Sequence, residues 1–94
     1  MSKYIVPVEN KNRIDCFDLY PIITETTGLN KKVIFDTLYC DGGNGSIVYI
    51  DDVVIEEALE DCEETSSTYK IYTAIDNLIK QKKLPEEFGI RIWW

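Results

Sequence analysis

The 94-residue chain contains no histidine. That removes the commonest general base, the commonest metal ligand and the one side chain whose ordinary pKa lies near neutrality. Serine and cysteine are left with no histidine to activate them as nucleophiles. Cysteine is sparse: Cys16, Cys40 and Cys62 are an odd set at wide spacing, with no CxxC pair. Such a set is neither a disulfide framework nor a zinc motif, and apolar neighbours mark the three as small buried hydrophobes. No apolar run approaches the ~20 residues that span a bilayer. Met1-Ser2-Lys3 leads directly into Tyr4-Ile5-Val6 and Pro7, with no apolar stretch of signal-peptide length. The cytoplasm is the expected compartment, the host's if the chain is phage-encoded.

The most telling absence is of positive charge. Between Lys32 and Lys70 there is no basic residue, while ten carboxylates lie there: Asp36, Asp41, Asp51, Asp52, Glu56, Glu57, Glu60, Asp61, Glu63 and Glu64. The remainder of the chain, with seven acids and ten bases, sums to +3 against a total of −7. The charge is therefore polarised, and a patch of one sign steers partners of the other. With 45% hydrophobic and 29% charged residues, the composition is that of one small folded domain, residues 1–94, rather than an acidic disordered tail.

Residues 4–8 alternate in β-formers and read as a strand, with Pro7 at an edge or end. Asp18 is placed to cap a helix with Pro21 in its first turn and Gly28 at its end. Residues 31–40 fit two templates. As a helix, Asn30 caps it and Leu29, Val33, Ile34 and Leu38 share a face. As a strand, Val33 to Cys40 is rich in β-branched and aromatic residues, and the glycine-rich 41–45 would join it to a strand at 46–50 as a hairpin. The hairpin is the preferred expectation. Asp51 or Asp52 caps a helix over 53–64 with Ile55, Ala58, Leu59 and Cys62 on its buried stripe. Ser67 caps a further helix with Ile71, Tyr72, Ile75, Leu78 and Ile79 inward and Lys80, Lys82 and Lys83 in its last turn. Phe88, Ile90, Ile92 and Trp94 alternate along a C-terminal strand, 88–94, which leaves Trp93 on the other side with Arg91, there either exposed as an interface residue or, if a second layer covers that face, part of the core. The expected fold is α+β: a short, mainly antiparallel sheet packed against two or three helices.

The helix at 53–64 is the leading site. Glu56–Glu60, Glu57–Asp61 and Glu60–Glu64 would be like-charge i, i+4 pairs, each costing roughly 0.2–0.5 kcal/mol. Glu63 and Glu64 would also face the negative end of the helix dipole. Surfaces that mildly oppose folding are candidates for function. Four residues of helix rise about 6 Å, comparable to two steps of a DNA strand at about 3.4 Å each. Such a helix suits a groove built for phosphates. The loop 41–52 matches neither a phosphate cradle nor a calcium loop, failing the latter at Gly43, Gly45 and Ser46. Asp51, Asp52, Glu56 and Glu57 lack a neighbouring base for metal-assisted hydrolysis. Neither an enzyme nor a cofactor is expected.

The expectation is a non-catalytic acidic binding protein that docks Glu56, Glu57, Glu60, Asp61 and Glu64, flanked by Asp51 and Asp52, on a basic nucleic-acid-binding protein. Small, acidic, histidine-free domains are typical of inhibitors, including phage anti-restriction and anti-CRISPR proteins, nuclease-immunity proteins and antitoxins. A second expectation treats residues 18–40 as a helix-turn-helix regulator with Asn30, Lys31 and Lys32 on DNA, against the grain of the −7 charge. A third is an assembly subunit pairing through the C-terminal strand and Trp93, a homodimer included.

Overall fold

A computed structural model describes residues 4–9, 12–39 and 43–94. The order is β1 (Arg13–Asp15), α1 (Cys16–Thr27), α2 (Lys31–Leu38), β2 (Ile47–Ile50), α3 (Asp52–Asp61), α4 (Ser67–Lys80) and β3 (Phe88–Arg91). The α+β class is as expected, but among the described residues there are four helices and the sheet is mixed rather than mainly antiparallel. β3 lies in the centre, parallel to β1 and antiparallel to β2. The reason lies in its sequence: Phe88, Ile90 and Ile92 all point into the core and are fully buried, and a central strand buries the most apolar surface.

Local chemistry explains the helix boundaries. Asp15, not Asp18, caps α1, its side chain accepting the Phe17 N–H. Pro21 therefore sits inside the helix rather than in its first turn. The carbonyl of Phe17 loses its i+4 donor, on a stretch where Phe17 and Pro21 are both exposed. Gly28 ends α1 with φ 78°, where a side chain would be strained. Asn30 then caps α2 by accepting the Val33 N–H at 3.0 Å.

The expected strand at 33–40 is thus overturned: Lys31–Leu38 is helical. Ile34 and Leu38 are buried while Asp36 between them is exposed, a pattern a helix allows but a strand, which would put all three on one face, does not. The hairpin fails with it, since β2 finds its partner in β3. Cys40 and residues 41–42 of the expected turn lie outside the described residues. Residues 4–8 are not a strand either. Val6 is buried, Ile5 N–H bonds the Lys83 carbonyl, and the segment folds back so that Glu9 bridges Arg13. Asn12, at φ 55°, makes that reversal, a backbone region asparagine tolerates better than most residues.

The helices cover one face of the sheet. The core joins Ile14, Leu19, Ile23, Ile34, Ile50, Ile71, Ile75, Leu84, Ile90 and Ile92. Ser66, one residue before the expected Ser67, caps α4 by accepting the Tyr69 N–H. α4 stops at Lys80, so Lys82 and Lys83 lie beyond it. Their N–H groups bond back to the carbonyls of Ile79 and Leu78, with Lys82 at φ 61°, a Schellman closure made without glycine.

Candidate functional site

Asp51 takes the capping role at α3, its Oδ1 accepting the Val54 N–H at 2.9 Å. Asp52 opens the helix, exposed, with its Oδ1 on the Val53 N–H. Glu56, Glu57, Glu60 and Asp61 follow, all exposed. Of the expected inner stripe only Ile55 is fully buried, while Ala58, Leu59 and Cys62 are half-buried. α3 is therefore a shallowly seated helix, packed on α4, that presents most of its circumference to solvent.

The helix ends at Asp61, three residues before the expected Glu64, with Cys62 in an extended conformation. The Ser66 N–H and hydroxyl both bond the Glu63 carbonyl, a local turn that competes with helical continuation. The like-charge pairs Glu56–Glu60 and Glu57–Asp61 thus exist on the helix, and Glu60–Glu64 does not. Glu64 lines a different groove, with Thr26, Thr27, Tyr69, Lys70 and Thr73, and separates from the set it was expected to join.

The structure adds carboxylates that the sequence reading missed. A cleft of ≈ 350 Å³ is lined by Asp52 and Ile55 of α3, Asp76 and Ile79 of α4, and Glu86 and Glu87 of the loop before β3. Leu84 and Pro85 are buried, which anchors that loop and turns the two glutamates outward. The acidic surface thus continues from α3 across the cleft. A signal was present, since Glu86-Glu87 stands between a buried Pro85 and an apolar strand, but nothing local tells which helix the loop will meet. Among the described residues the two ion pairs are Lys32–Asp36 and Lys80–Asp76. Neither involves a carboxylate of α3, and among the described residues no group of three or more cysteine, aspartate or glutamate side chains forms a metal-ligand set.

Comparison with family models, curated proteins and solved structures finds no match. The functional reading is therefore carried by the site's own chemistry.

Trp93 is not a free hot spot. Its indole N–H donates to Asp15 Oδ2 at 3.1 Å, its ring lies against Gly45, and the Arg91 guanidinium sits 5.8 Å from the ring centroid. Its backbone N–H donates to the Cys16 thiol. Both edges of β3 are filled within the chain, so pairing another molecule through this strand is closed. Trp94, expected in the core, is 61% exposed. β3 ends at Arg91, Ile92 still exchanges backbone hydrogen bonds with Ser46 and Gly45, and Trp94 meets Phe35 and Tyr39 edge-on at 5.9 and 5.5 Å. No described helix is long and apolar enough to cross a membrane.

Proposed function

We propose that this chain is a non-catalytic binding protein whose acidic surface docks on and occludes a basic nucleic-acid-binding surface of a partner protein. It would act in the cytoplasm as an inhibitor of the anti-restriction, anti-CRISPR, immunity or antitoxin type. One observation carries the reading: α3 exposes Asp52, Glu56, Glu57, Glu60 and Asp61 with no ion pair to any described basic residue. Asp76, Glu86 and Glu87 extend the same sign across the adjoining cleft. A surface of that kind costs folding free energy and repays it only when a cationic partner arrives. Ile79, half-buried between the carboxylates, would cover the aliphatic stems of partner lysines and arginines.

The test is a low-salt pull-down comparing the wild-type chain with a Glu56→Lys/Glu57→Lys/Glu60→Lys variant. Occlusion requires that the wild type retain a nucleic-acid-binding protein, that duplex DNA or RNA release it, and that the variant lose it. Equal retention by both would sink the reading.

A helix-turn-helix regulator is the second reading, supported by α1 and α2 meeting across Gly28 with Asn30 as the cap. It is the weaker one. Lys32 is paired with Asp36 at 3.2 Å, and the Lys31 ammonium sits over the Phe17 ring at 4.6 Å, so both lysines already have partners within the chain. It requires a specific duplex to shift on a gel.

A further inference from the structure

The sheet has a second face, opposite the one that carries Ile14, Val48 and Ile90 into the core. In register it carries Arg13 and Asp15 of β1, Gly89 and Arg91 of β3, and Ile47 and Tyr49 of β2. Tyr49 lies across Gly89: a Cβ built on that glycine would meet the tyrosine ring at 3.4 Å and Ile47 Cγ2 at 2.6 Å. One side of the ring is thereby seated on backbone, and the residue is 62% exposed. Tyr49 shares a cleft of ≈ 250 Å³ with Asn12, Asp51 and Glu87. Asn12 holds that cleft together, its side-chain amide donating to the Glu87 carbonyl at 3.2 Å and its own carbonyl accepting the Gly89 N–H at 3.0 Å. Asp51 commits one oxygen to the α3 cap. The other has no hydrogen-bond partner among the described residues. Arg13, across Gly89 on β1, is the neighbouring cation, and it forms no ion pair with either carboxylate among the described residues.

An exposed aromatic ring flanked by two carboxylates matches an arginine. The guanidinium plane stacks on the ring while its N–H fork reaches the carboxylates, which a lysine ammonium does less well. We propose that the cleft formed by Tyr49, Asp51 and Glu87 receives an arginine side chain of the basic partner and anchors the docking of α3 beside it. The inference rests on the acidic-docking reading and deepens it. The two surfaces are continuous, because Asp51 caps α3 and Glu87 lines both this cleft and the one between α3 and α4.

The experiment is an NMR titration of the ¹⁵N-labelled chain at low salt with a hexa-arginine peptide and a matched hexa-lysine peptide. Expected are amide shifts at Tyr49, Asp51 and Gly89 and tighter binding of the arginine peptide. Tyr49→Leu should cut arginine-peptide affinity about two- to fivefold and abolish the preference over lysine, while Tyr49→Phe keeps both. Glu56→Lys/Glu60→Lys should weaken both peptides yet leave the shifts at Tyr49. Equal affinities with shifts confined to α3, unchanged by Tyr49→Leu, would overturn the arginine cleft and leave the acidic docking face standing. Shifts at neither surface would overturn both.

Discussion

Gly89 is where a single hydrogen atom in place of a methyl group decides the packing of the sheet. The methyl of alanine would lie 2.6 Å from Ile47 Cγ2, and a β-branched neighbour has little rotamer freedom with which to retreat. Gly89→Ala is expected to cost about 1–3 kcal/mol, read as a lowered urea midpoint with an unchanged m-value. Lys82 presents the opposite case, a left-handed residue at φ 61° that glycine would hold without strain. Lys82→Gly should stabilise the fold by roughly 0.5–1 kcal/mol, the relief of the Cβ contact less the entropy glycine adds to the unfolded chain. Tyr20 supplies the pH dependence. Burial pushes its phenol well above the ordinary value of 10.0, with Cys16 and Asp15 adding to the shift. The folded chain therefore holds this proton more tightly than the unfolded one. The stability that results is fully present below pH 10.0 and is lost as pH rises above it. Thermal melts taken across that range should fall, and Tyr20→Phe should fall less steeply.

At the scale of elements, α3 and α2 contrast. α2 is locally consistent, with an asparagine cap, a Lys32–Asp36 pair at i, i+4 and Ile34 with Leu38 inward. α3 is locally frustrated: its first turn is well capped by Asp51, but Glu56 faces Glu60 and Glu57 faces Asp61. Asp61 also lies at the negative end of the dipole. Glu60→Lys replaces a repulsive pair with an attractive one and places a cation in the last turn. It should raise stability by about 0.5–1 kcal/mol while weakening partner binding in the pull-down. A loss of both stability and binding would instead make Glu60 a structural residue.

For the whole molecule, the −7 charge is distributed so that one helix and the loop before β3 carry much of it. Like charges gathered on one surface repel one another through water, and salt screens that repulsion over a Debye length of about 10 Å at 0.1 M. Raising NaCl from about 20 mM to about 500 mM should increase the melting temperature of the isolated chain while it weakens the partner complex. The opposed signs of these two responses distinguish a docking surface from a face whose charge does nothing but keep the chain dissolved.

The one-dimensional pattern determined what depends on neighbours a turn apart. The α+β class, the stripes Ile71-Tyr72-Ile75-Leu78 and Phe88-Ile90-Ile92, the αL stop at Gly28 and the exposure of the acids at 56–61 were all legible, because burial periodicity and capping are local. Residues 31–38 were not: β-branched and aromatic residues favour a strand in isolation, and the helix is settled by Ile34 and Leu38 packing inward while Asp36 between them faces out. The packing of Trp93 and exposure of Trp94, the separation of Glu64 from α3, and the gathering of Asp76, Glu86 and Glu87 beside it are tertiary facts. They depend on β3 entering between β1 and β2 and on which elements pack across its ends, contacts between residues far apart in the chain that no local propensity encodes.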